Sequence, residues 1–140
     1  MKTMIVNTSI RYFFVLALLL AALSGCGGGQ ASESKTIAQQ QQIGQVTIGL
    51  ETPDRAPLLT EQDVLVTLRD ARGPIDGAAV WVGLIMPTMQ MSPNEPDAVS
   101  EGQGRYHARA IFTMSGTWNL EIHATVKGQE YVGHFHAQTS

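Results

Sequence analysis

Sulfur is the first chemistry this sequence offers. The segment Met86-Pro87-Thr88-Met89-Gln90-Met91-Ser92-Pro93 carries three thioethers within six residues, and a further methionine, Met114, follows downstream. A thioether is a neutral, soft donor that selects copper(I) over harder divalent ions. It needs no deprotonation and resists the oxidation that disables free thiols outside the cytoplasm. Pro87 and Pro93 stiffen the segment, and an extended Gln90 would point Met89 and Met91 the same way. Imidazole can complete such a site, and His134 and His136 share a strand face at i, i+2. The candidate ligands for copper(I) are therefore Met86, Met89, Met91, Met114, His134 and His136. Methionine is also adaptable core filler. Met86 and Met114 adjoin apolar strand patterns, whereas Met89 and Met91 sit among Thr, Gln, Ser and Pro, where a core has less claim on them.

Catalytic chemistry finds little support. The remaining histidines, His107 and His123, alternate with apolar residues and are expected to face solvent. There is no GxSxG nucleophile turn, no HExxH and no glycine-rich phosphate loop, and the carboxylates are scattered through turns. A non-enzymatic protein is expected. Nine basic residues against 12 acidic ones, without a basic cluster, exclude a nucleic-acid partner on electrostatic grounds. The single cysteine, Cys26, excludes an internal disulfide and thiol-based zinc or CxxC redox chemistry.

The elements that must position these residues read as short strands. Val46, Ile48 and Leu50 alternate with polar neighbours, as do Val64, Val66 and Leu68. The same period runs through Tyr106, Ala108, Ala110, Phe112 and Met114, and through Trp118, Leu120, Ile122, Ala124 and Val126. Residues 77–85 are apolar on both faces, as in a central strand, and residues 131–137 form the last candidate. Trp118 is expected as a core anchor, and Trp81 either in the core or against a cation. Turn signals such as Arg72-Gly73-Pro74, Gly102-Gln103-Gly104 and Lys127-Gly128 separate the runs. About seven short strands with regular turns imply an all-β, antiparallel immunoglobulin-like β-sandwich over residues 43–140.

The chain before this domain has a different character. Lys2 and Arg11 precede an almost wholly apolar run at residues 12–23, shorter than the roughly 20 residues a spanning helix needs. A charged start, a short apolar segment and a small-residue exit describe a secretory signal peptide over residues 1–25. Its exit, Leu23-Ser24-Gly25-Cys26, resembles the bacterial lipobox. That resemblance implies cleavage before Cys26 and acylation there with diacylglycerol and palmitate-type chains, which together hold a protein stably on a membrane. An extracytoplasmic lipoprotein follows, on the periplasmic side of the outer membrane in a cell with two membranes, since Gly27 is not the aspartate of an inner-membrane retention signal. Residues 26–42, rich in Gly, Ser and Gln, read as a flexible tether, with the run Gln39 to Gln42 as solvated spacer.

With these residues in view, the sequence resembles the YtkA-like/FixH-like family of small extracytoplasmic domains. The resemblance rests on the MPxMxM segment at Met86–Met91. It rests also on the spacing Gly104-x-Tyr106-x-Ala108-x-x-x-Phe112-x-Met114-x-Gly116-x-Trp118-x-Leu120-x-Ile122. It implies an immunoglobulin-like sandwich and a role in copper handling, with an envelope protein as the giver or receiver of the metal. A lipobox stands here where FixH-type members carry a membrane-spanning helix. A metal-free interaction module of the cell envelope, with the methionines as apolar contacts, is the alternative.

Overall fold

The computed structural model describes residues 35–89 and 94–140. Met1 to Ser34, including the expected leader and Cys26, and Gln90 to Pro93, including Met91, lie outside the described residues. Nine strands form within them: β1 (Thr36–Ile43), β2 (Val46–Pro53), β3 (Glu61–Asp70), β4 (Gly73–Pro74), β5 (Ala79–Ile85), β6 (Asp97–Gly102), β7 (Arg105–Ile111), β8 (Gly116–Val126) and β9 (Gln129–Thr139). They are ordered β1-β2-β3-β7-β6-β5-β8-β9, with the two-residue β4 on β3, and every strand pair is antiparallel.

Alternation sets the layers. Ile48, Val66 and Tyr106 from one sheet, and Val82, Ile122 and Trp118 from the other, are fully buried between them. Removing an aliphatic side chain of this size from water contributes roughly 1.5–3 kcal/mol, so the two inner faces are the main stabilising feature. The sandwich is thus the expected immunoglobulin-like, antiparallel all-β fold. It has nine strands against about seven anticipated, because β4 is too short, and β1 and β6 too polar, to show a period-two pattern. β6 turns the corner between layers. Ala98 pairs with Val80 of β5, Val99 pairs with His107 of β7, and the register shifts between Ser100 and Gly102.

One expectation is corrected. Residues 36–42, anticipated as part of a tether, belong to β1 and pair along the whole of β2, from Thr36 opposite Pro53 to Ile43 opposite Val46. The glutamine run has a structural use. Gln39 Nε2 donates to the His136 carbonyl (2.7 Å) and Gln39 Oε1 accepts from the His136 amide (3.4 Å), while Gln41 Oε1 accepts from the His134 amide (2.8 Å). A primary amide carries a donor and an acceptor in the geometry of a peptide group, so it satisfies the open edge of β9 without a backbone partner. The folded domain therefore begins at β1 and not at Ile43. Ile43 packs against the core.

Candidate functional site

The register sorts the connections by end. Thr36 faces Pro53, Glu61 faces Ile111, Ile85 faces Asn119 and Gly116 faces Thr139. The β2–β3, β5–β6 and β7–β8 connections, the start of β1 and the end of β9 accordingly gather at one end of the sandwich. Met86, Met89 and Met114 all belong to it.

Met86 is the first residue after β5 and is 6% exposed, part of the core. Pro87 behind it disfavours a helical backbone at Met86, so the chain leaves the strand extended. Its Cε lies 3.2 Å from where a Cβ on Gly116 would stand, so the missing side chain at Gly116 makes room for the methionine. Met114 is partly buried against the same core. Its carbonyl accepts from Trp118 Nε1 (3.0 Å) and from Thr139 Oγ1 (2.7 Å), and Trp118 packs edge-on to Phe112 with centroids 5.4 Å apart. The β7–β8 connection is therefore pinned by an indole, a hydroxyl and an aromatic pair. Met89 differs. Its amide donates to the Met86 carbonyl (3.2 Å), closing a turn, and its side chain is 49% exposed.

The structure does not bring the histidines to the methionines. His134 and His136 alternate on β9 with the core residues Phe135 and Ala137 and project from the opposite, outer face of the sheet. His136 Nδ1 meets Asn119 Oδ1 at 3.0 Å, and His134 Nδ1 lies 3.5 Å from Glu121 Oε1. Among the described residues no group of three or more His, Cys, Asp or Glu is arranged to hold a metal ion.

A feature of that outer face was not anticipated. His123, expected in solvent, has only 16% of its side chain exposed because Trp81, directly opposite it in register, stacks on its ring with centroids 3.6 Å apart and planes 8° from parallel. Glu130 Oε1 holds His123 Nδ1 at 3.0 Å, while Nε2 is buried without a hydrogen-bond partner and lies 3.6 Å from Glu121 Oε2. Trp81 is thus on the outer face and not in the core. The signal that could have found the pair is the cross-strand register, which the sequence does not display. His107 is likewise half-covered, its Nε2 at 2.8 Å from Asp63 Oδ1.

Comparison with known proteins fits this architecture. The sequence model of the family described as YtkA-like matches residues 40–123. No curated protein matches the chain. A DUF4426 family protein of Pseudomonas aeruginosa PAO1 superposes with a TM-score of 0.54 at 19% identity, over 72% of this chain and 93% of that one. A DUF4785 family protein of Legionella pneumophila subsp. pneumophila str. Philadelphia 1 gives 0.54 at 14% identity, over 71% of this chain. The match spans only 30% of that protein's length. The Lin-41 filamin domain gives 0.49 at 18% identity, over 74% of this chain and 91% of that one. At these identities the likeness concerns the fold alone.

Proposed function

This chain belongs to the YtkA-like family, and from that premise we propose that it is a lipid-anchored, extracytoplasmic, non-enzymatic domain that binds copper(I) at its methionine end and exchanges it with an envelope protein. The observation that supports this is the gathering of Met86, Met89 and Met114 at one end, with Met89 exposed on a turn whose base is held in the core. Copper here is cargo. Met89 supplies an accessible thioether, and Met91, two residues on in the sequence, is the second sulfur donor of the proposal; Met86 and Met114 pack into the core at the same end. A neutral sulfur ligand holds copper(I) without releasing a proton, so transfer proceeds by swapping one thioether at a time for a receiver's ligand. His134 and His136 take no part in this set, because they stand on the other face of the sheet.

A second reading has its own support. The methionine end also exposes Leu59 and Ile111, as a metal-free contact surface would. Titration of the full-length protein with copper(I) against a competing chelator separates the two. A Met89→Leu/Met91→Leu variant keeps apolar bulk and removes sulfur, so its affinity should fall about tenfold or more, equivalent to ~1.4 kcal/mol. Unchanged affinity would reject the methionine site and leave the contact surface standing.

A further inference from the structure

Leu59 is an unusual residue to leave in water. It is 74% exposed, and its backbone sits in the left-handed region (φ 55°), which a bulky side chain rarely adopts. The Leu59 amide donates to the Phe112 carbonyl (2.8 Å), so the β2–β3 connection is held beside the end of β7. Asn94 Nδ2 donates to the neighbouring Ile111 carbonyl (3.3 Å), bringing the β5–β6 connection to the same place. Among the described residues, five large apolar side chains stand out as exposed. Leu59, Met89 (49%), Ile85 (42%) and Ile111 (39%) all belong to the methionine end, and Val99 alone lies elsewhere.

The chain enters at this end too. The Lys35 carbonyl accepts from the Asp54 amide (2.6 Å), and Lys35 Nζ pairs with Asp54 Oδ2 at 3.3 Å. Only eight residues separate Cys26 from Lys35, a reach of at most ~30 Å even when fully extended. The 11 residues of β8 put the opposite turns about 36 Å further along the sandwich. A lipid on Cys26 therefore holds the methionine end within that reach of the bilayer, while the turn end comes as near only if the sandwich lies flat.

We propose that this end docks on the surface of the bilayer carrying the anchor, with Leu59, Met89 and Ile111 entering the headgroup region. The inference rests on acylation of Cys26. Three separate connections present these side chains, and partition into a lipid interface asks only for apolar area. The anchor makes that interface the surface of highest effective concentration. Of the charges nearby, Lys35 pairs with Asp54 and Arg109 with Glu61 (3.3 Å), while Arg55 is outnumbered by Glu95 and Asp97, so this end is slightly acidic and its docking rests on apolar contact and the anchor, not on attraction to anionic lipid. Docking holds the methionine loop at the membrane, where a membrane-embedded receiver would meet it.

The test uses the full acylated chain in phosphatidylethanolamine/phosphatidylglycerol vesicles containing a nitroxide-labelled lipid. Lipid blocks Cys26, so a fluorophore can be placed on Thr113→Cys, beside Ile111, or on Lys127→Cys at the opposite end. Quenching should be several-fold stronger at position 113. A Leu59→Glu/Ile111→Glu variant should lose that difference while still sedimenting with the vesicles. Equal quenching at both positions in vesicle-bound protein overturns the docking. A difference seen in native membranes but absent from pure lipid overturns it in favour of a protein receiver. The anchor is judged separately: a Cys26→Ser chain that stays on cell membranes sinks the lipoprotein reading, whatever the quenching shows.

Discussion

The two ends of this sandwich are built from the same strands and differ in what joins them. At one end the joints are tight. Gly44, Gly77, Gln103, Gly104, Lys127 and Gly128 take left-handed backbones there, and polar groups close the turns. Asp70 accepts from the Arg72 side chain (Nη2–Oδ2 2.9 Å) and backbone, which holds its carboxyl below the ordinary value, and Asp76 Oδ1 accepts from the Gly104 amide (2.7 Å). At the other end the β2–β3 and β5–β6 connections are longer, and together with the short β7–β8 connection they carry the methionines, with apolar side chains left in water around them. A turn that only reverses the chain needs the right backbone and little else. A connection that binds something must spend length and exposure on side chains, over a scaffold that does not move. The contrast is what favours the methionine end as the proposed binding end.

Five substitutions, at three places in the sandwich, test how independent the ends are. The largest effect is expected at Trp118, which is fully buried and donates to the carbonyl of Met114. Trp118→Ala should cost about 3–5 kcal/mol in denaturant unfolding, from the lost burial and the cavity. If the cost is below about 1 kcal/mol, the methionine end is not held by this anchor. The turn end has its own sensitive point at Gly104 (φ 71°), where an added Cβ would collide with the Leu68 carbonyl oxygen and stand 3.0 Å from Pro74 Cβ. Gly104→Ala should therefore cost ~2 kcal/mol or more, against ~1 kcal/mol for Gly77→Ala, where the space is open and only the backbone conformation resists. Equal costs for the two would show that the close approach to Leu68 is relieved by a shift of the turn. Copper(I) affinity should be the same in both glycine variants as in the parent chain. The smallest effect is expected at the seam between β1 and β9. Gln39→Ala and Gln41→Ala should each cost about 1 kcal/mol, the net worth of an ordinary hydrogen bond. Hydrogen exchange should rise in β1 and β9 and stay unchanged in the turns around Gly104; a rise spread over both ends would mean that the seam holds the whole sandwich.

Much of the fold was legible, and the reason is local. The period-two runs at Val46–Leu50, Val64–Leu68 and Trp118–Ala124 point their apolar residues into the core as alternation requires. β1 escaped notice because Gln39 to Gln42 has no apolar pattern; its place comes from pairing with β2 and from amides that reach β9. The same limit applies to the outer face. His123 alternates as an outward residue should, yet it is covered by Trp81, which stands 42 positions earlier in the chain and faces it only through the β5–β8 register. For the candidate site, the sequence identified Met86, Met89 and Met114 as a set, and the structure places them at one end. His134 and His136 were drawn into that set by their chemistry, and the sheet puts them on its other side.

By itself the sequence determined the donor chemistry of the methionine segment, the strand periods and the turn positions, since each depends on neighbours a few residues apart. Only the tertiary structure decided which thioethers are buried and which is open, that the glutamines close an edge, and that chain entry, methionines and exposed apolar residues share one end. Those properties follow from the register and order of strands far apart in the chain, which are set by packing the whole sandwich at once.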